Sequence, residues 1–156
     1  MKVVSELKRE DFEEKFGSAR DFKYFGRARK HCYFVALTKE EFEKLGMNSS
    51  PEIPFPEKGH FPILKDSITQ FLKNPTYLQN SHPDRGVSGT TVAEYLKQFQ
   101  NGMKLQDCFI TDDAISDSYY ICEGMHRLTA YGLYKKLILQ DHEVEVYYLT
   151  DHDRAS

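Results

Sequence analysis

Apolar and polar positions change period several times along this chain, and each change marks a predicted element. Arg9–Phe16 reads as a helix ended by Gly17, with Leu7, Phe12 and Phe16 as its expected buried residues. His31–Thr38, "HCYFVALT", is a short continuous apolar run and predicts a buried strand. Thr38 and Glu41 follow at capping-box spacing, where each side chain satisfies the other's free backbone N–H, so a short helix starts there and stops near Gly46. Leu64, Ile68, Phe71 and Leu72 fall on one face of a helix that Pro75 terminates. In "TTVAEYLKQFQNG", Thr91 and Glu94 suggest a second capping box, Val92, Tyr95, Leu96 and Phe99 form the apolar stripe, and Asn101-Gly102 is the stop. "LQDCFIT" and "SYYIC" predict two strands joined by the acidic loop Asp112–Asp117. A helix from His126 to Leu139 is expected to bury Leu128, Tyr131, Tyr134, Leu137 and Ile138 on one broad face. In "EVEVYYL", Val144, Val146 and Tyr148 alternate with Glu143, Glu145 and Tyr147, as in a half-exposed strand.

This order predicts an α+β fold, and 156 residues suit one domain with a hydrophobic core. Met47–Pro62 holds four prolines and predicts a long surface excursion, since proline lacks the N–H that a ladder or helix requires. A domain boundary there is disfavoured because the preceding 46 residues would make a poor core alone. A formal net charge of −3 argues against bulk electrostatic binding to nucleic acid. Arg20, Lys23, Arg27, Arg29 and Lys30 form one local basic stretch, which reads as a solvated face, with anion binding as the other reading. Cys32, Cys108 and Cys122 lie in apolar contexts without metal-ligand spacing and read as reduced core residues of a cytoplasmic protein. The first residues lack the apolar core of a signal peptide, and no run approaches the ~20 apolar residues of a membrane-spanning helix.

The stretch "YYICEGMHRLTAYGLY" concentrates the candidate chemistry. A strand ends at Ile121-Cys122, Glu123-Gly124-Met125 turns, and His126-Arg127 falls in the first turn of a helix. Backbone N–H groups at a helix start lack intrahelical acceptors and carry the positive end of the dipole, so phosphate and carboxylate bind there. Gly124 allows a sharp turn and a close ligand approach. Arg127 offers a fork of donors suited to phosphate, and His126 can donate to an anion or move a proton. A plain turn with a solvent arginine and a packing histidine is the competing reading of the same residues.

The segment from Leu105 to Lys136, with Gly124, His126, Arg127 and Ala130 in place, resembles the signature region of the ParB/sulfiredoxin-like superfamily. The likeness spans about Thr90 to Leu149, and the helix before the hairpin takes part in it. It implies a small mixed sheet with flanking helices and a strand-turn-helix site that binds nucleotide phosphates through Gly124, Met125, His126 and Arg127. The sulfiredoxin branch places a nucleophilic cysteine where this chain has Met125, and the ParB partition proteins add domains for which the chain is too short. A third branch, small-molecule kinases such as free-serine kinases, uses an acid at the turn to place a metal-bound nucleotide. Glu123 occupies that position, where aspartate is the more usual residue.

"SHPDRG" (Ser81–Gly86) is a second candidate: Asp84 or His82 as the base near an acceptor hydroxyl and Arg85 as a phosphate clamp. A polar surface turn is the simpler reading of it. Asp112, Asp113 and Asp117 read as solvated hairpin acids, with Mg²⁺ binding as the alternative. No Walker loop, G-x-S-x-G elbow or H-E-x-x-H helix occurs.

Two functions are therefore expected. One is a cytoplasmic phosphotransferase or nucleotide hydrolase using Mg²⁺ with ATP, ADP or another nucleotide and a small-molecule acceptor. In it Glu123, His126 and Asp84 are catalytic, Glu123 holds the metal, and Gly124, Met125, His126, Arg127 and Arg85 bind phosphate. The other is a non-catalytic module that binds nucleic acid or a regulatory nucleotide through the same turn. Neither expectation involves a membrane.

Overall fold

The apolar run His31–Leu37 forms β2, and it pairs antiparallel along its whole length with β5 (Val144–Thr150), from His31 opposite Thr150 to Leu37 opposite Val144. These strands organise a computed structural model that describes residues 1–17, 29–47, 63–81, 87–112, 119–136 and 138–154. The expected proline-rich excursion and most of the basic stretch lie outside the described residues. So do residues 82–86, with Asp84 and Arg85, and the acidic loop beyond Asp112.

Three further strands complete a mixed five-stranded sheet in the order β1-β2-β5-β3-β4, with β1 (Lys2–Leu7), β3 (Phe109–Asp112) and β4 (Tyr119–Glu123). All neighbours are antiparallel except β3 and β5. The outer edge of β4 is covered by Gly46, whose N–H donates to the Tyr119 carbonyl and whose carbonyl accepts from the Ile121 N–H, each at 2.8 Å.

The helices follow the predicted spacing closely: α1 (Arg9–Phe16), α2 (Lys39–Glu43), α3 (Leu64–Lys73), α4 (Gly89–Gln100) and α5 (Met125–Lys135). The Thr38–Glu41 capping box is formed on both sides. A short 3₁₀ helix, Pro75–Gln79, follows α3. Helices α3, α4 and α5 cover one face of the sheet, so Val35, Leu37, Ile110, Ile121, Val144 and Val146 are buried against Leu64, Phe71, Val92, Phe99 and Leu128. On the other face, Phe12 and Phe16 of α1 pack over Cys32, Phe109, Cys122 and Leu149. Apolar covering on both sides makes β5 a central strand; Leu149 and Thr150 are buried along with Val144, Val146 and Tyr148.

Two local expectations are corrected. The N-cap of α4 is Ser88, whose hydroxyl accepts from the Thr91 N–H at 3.3 Å, so Thr91 lies inside the helix and not at its cap. Ser88→Ala is accordingly expected to cost about 1 kcal/mol in urea denaturation, because the cap hydroxyl satisfies an orphan N–H. Thr91→Ala should cost clearly less, and the reverse order would restore the predicted cap. The last helix ends at Lys135, four residues short of Leu139, and leaves Tyr134 and Ile138 exposed. The apolar stripe continues in sequence there, and of its described residues Leu139 packs against the core while Ile138 stays exposed.

Candidate functional site

The Glu123–Arg127 turn joins the edge strand β4 to α5. Gly124 is the N-cap residue and takes φ 101°, ψ 21°, the left-handed region that side chains rarely occupy. It is also pressed against the start of β3: a methyl group there would fall on the Cys108 sulfur and stand 2.9 Å from Cys108 Cβ and 3.2 Å from its Cα. Only glycine fits this backbone and this contact together. Gly124 brings no side chain to cap α5, whose first intrahelical bond runs from the Leu128 N–H to the Gly124 carbonyl at 2.8 Å.

His126 ties this helix start to another. The Ser88 backbone N–H donates to His126 Nε2 at 3.0 Å, and Ser88 is the N-cap of α4. The imidazole thus serves this amide as an acceptor through Nε2. The two helices run side by side in the same sense. Arg127 stacks on Tyr95 at 5.8 Å, and one turn or so further on Phe99 stacks on Tyr134 at 6.2 Å and meets Tyr131 edge-on at 5.4 Å. Their positive ends therefore lie together, and their partial charges add in one place.

Arg127 does not stand free as a phosphate fork. Its Nη1 donates to the Gln106 carbonyl at 2.7 Å and its Nη2 reaches Glu123 Oε1 at 3.4 Å. Its side chain is only 19 % exposed. It thus binds the turn to the segment leading into β3. Cys108, beside the turn, is pushed up to about 12 by burial, which outweighs the lowering influence of Arg127. It remains a neutral thiol, its sulfur directed at the Gln106 carbonyl at 3.4 Å, and packs as the sequence suggested. Cys32, likewise raised to about 11 by burial, belongs to the opposite core.

The structure therefore brings Glu123, Gly124, Met125, His126 and Arg127 together, while Asp84 and Arg85 lie outside the described residues. Among the described residues no group of three or more His, Cys, Asp or Glu side chains is arranged to hold a metal ion. Asp112 accepts from the hydroxyls of Tyr148 and Thr150, so its carboxylate serves the end of the sheet. Two clefts, of about 300 and 490 Å³, open around the 102–108 segment and share Phe34, Leu105 and Glu145; none of Glu123–Arg127 lines either one. Ser88 is the site residue missing from the sequence reading. Its signal was there, as a serine before a Gly-Thr-Thr helix start, but its partner lies 38 residues away.

No helix among the described residues is long and apolar enough to cross a membrane. Comparison with family models, curated proteins and solved structures finds no match to this chain.

Proposed function

We propose that the chain is a ParB/sulfiredoxin-like nucleotide-binding domain, in which the starts of α4 and α5 hold the phosphates of a nucleotide. The observation that carries this reading is the pairing of two helix N-termini through the Ser88–His126 bond. One helix start attracts an anion weakly; two at one place suit a compact polyphosphate better. Gly124 keeps the backbone of the turn bare of side chain. Arg127 adds positive charge from the side while holding Glu123 and Gln106 in position.

The reaction class is phosphoryl transfer or nucleotide hydrolysis with Mg²⁺, from ATP, ADP or another nucleotide, to a small-molecule acceptor or water. Such chemistry rests on placing charge around the transferring group rather than on covalent steps. In this reading Glu123 is the acid that positions the metal or the acceptor hydroxyl. The Glu123–Arg127 contact at 3.4 Å would open to admit it. That same ion pair favours the second reading, a module that binds nucleic acid or a regulatory nucleotide without turning it over, because the acid is already partnered.

Thermal melts with ATP, ADP, CTP and GTP, each with Mg²⁺, separate these possibilities. A nucleotide at ~100 times its dissociation constant should add ~2.7 kcal/mol of stability, a shift of several degrees for a chain of this size. Thr90→Glu places a carboxylate on an exposed position in the first turn of α4. It should leave the unliganded melt in place or slightly raised while removing the shift. Phosphate release or acceptor phosphorylation with the stabilising nucleotide supports the enzyme. A shift without turnover, or nucleic-acid affinity that falls steeply with salt, supports the binding module. If no nucleotide moves the melt of the wild-type chain, the phosphate site is refuted.

A further inference from the structure

The two clefts around the 102–108 segment adjoin the sheet face on which α1 packs. The aromatic cover of that helix, Phe12 and Phe16, lies over Leu149 and meets the Tyr147 ring at 6.3 and 5.2 Å. Glu145 is the next residue of β5 on this face, because same-face residues of a strand are two apart, and it is exposed. Tyr147 stands opposite Phe34 of β2, with the two rings 5.0 Å apart, and Phe34 is half-buried. Phe34, Leu105 and Glu145 line both clefts, so the two form one groove with Glu145 in their shared wall.

The two clefts repeat one arrangement. In the cleft of about 300 Å³, the Lys15 ammonium bonds Asp107 at 2.6 Å and stands 5.5 Å from the centre of the Tyr147 ring. In the cleft of about 490 Å³, the Lys135 ammonium bonds Glu143 at 2.5 Å and stands 5.8 Å from the centre of the Tyr134 ring. In each, a carboxylate and an aromatic ring together hold an ammonium. Glu145 shares its sheet face with Phe34, yet its carboxylate has no hydrogen bond or ion pair among the described residues. Lys104, which lines the larger cleft, is exposed and likewise pairs with no acid among the described residues. Its ammonium has not closed onto Glu145, so that carboxylate stays available to a ligand.

We propose that the joined clefts bind a small organic cation, an ammonium with an apolar body, whose head completes at Glu145 and Phe34 the arrangement present at Lys15 and Lys135. Cavities of this size suit a small molecule. The body lies along Leu105 toward Phe99 and Tyr134, whose rings stack at 6.2 Å in the wall of the larger cleft. A neutral molecule of the same shape gains the apolar contacts but leaves Glu145 unpaired, and an anion is repelled by it. The proposal rests on the clefts alone and stands or falls independently of nucleotide binding at the Glu123–Arg127 turn.

The test follows the backbone amide resonances of the full chain during titration with phenethylammonium and with benzyltrimethylammonium. Saturable shifts are expected, with the amides of Leu105 and Glu145 among those that move. Phenethyl alcohol, the neutral counterpart of the first probe, and hydrocinnamate, an anion of similar body, should each bind at least about fivefold more weakly. Glu145→Gln should remove this preference and bring the amine and the alcohol to within about twofold of each other. Lys104→Ala should leave amine binding unchanged or tighten it, because a competing ammonium is gone. The absence of saturable shifts with both cations overturns the proposal, as do equal affinities for the amine and the alcohol, or a preference that survives Glu145→Gln. Tighter binding of hydrocinnamate overturns it too, and makes Lys104 the group that selects the ligand. The comparison of amine with alcohol uses the wild-type chain, so it decides even where Glu145→Gln disturbs the fold.

Discussion

Gly124→Ala is expected to lower the unfolding free energy by about 3 kcal/mol and the melting temperature by about 6–12 °C. Two costs combine. A side chain in the left-handed region costs roughly 1–2 kcal/mol, and forcing an extra carbon into packed surroundings costs about 1–3 more. The second cost has a definite address, the Cys108 side chain and Cα. Gly102 provides the internal control: it has a similar φ of 93°, with nothing within 4 Å of the position a methyl would take. Gly102→Ala should therefore show only the backbone cost, about 1–2 kcal/mol. Adding Cys108→Ala to Gly124→Ala removes the sulfur but not the backbone contact, so it should recover only part of the loss. Urea denaturation of the four chains measures this directly. Equal losses for the two glycines would mean that the turn and the start of β3 are not in contact.

Arg127→Ala is expected to cost about 2 kcal/mol, the scale of a hydrogen bond to a charged group. The loss arises from the bond to the Gln106 carbonyl at 2.7 Å and from the contact to Glu123 Oε1 at 3.4 Å. Arg127→Lys keeps the charge but not the planar fork that spans both partners, and should recover less than half. The proposed function gives Arg127 a part in binding the ligand. The structure gives it a supporting role as well, and a paired measurement distinguishes the two. A loss of nucleotide binding with a stability change under ~0.5 kcal/mol makes Arg127 a ligand residue alone. A loss near ~2 kcal/mol with binding retained makes it a positioning residue alone. Loss of both is the expected result.

The parts of the fold legible in sequence are those whose burial leaves a period. The helices at Arg9, Leu64 and Gly89 and the strand at His31 bury one stripe or a continuous run, and they stand where the spacing placed them. Lys2–Leu7 went unrecognised because nearly every residue of that strand is exposed, and its pairing is interrupted between Val3 and Ser5. A strand with so little burial writes no alternation into its side chains. The end of α5 was overextended for the opposite reason: Ile138 continues the apolar pattern yet is 63 % exposed, and Tyr134 is 41 % exposed. For the site, the turn and its glycine were legible because a strand-to-helix junction needs that backbone. The engagement of Arg127 was not, because its acceptor is a main-chain carbonyl 21 residues away.

Local sequence by itself determined most of the element types, the strand–Glu-Gly-Met-His-Arg–helix junction and the buried character of the cysteines, because propensity, capping and apolar spacing act within a few residues. Only the tertiary structure decided that β5 lies at the centre of the sheet, that the starts of α4 and α5 meet through Ser88 and His126, and that the Arg154 backbone N–H bonds to the Tyr33 hydroxyl. Each of those depends on contacts between residues at least 38 positions apart, or, for β5, on which strands flank it. Such contacts follow from how sheets and helices pack, and no local pattern encodes them.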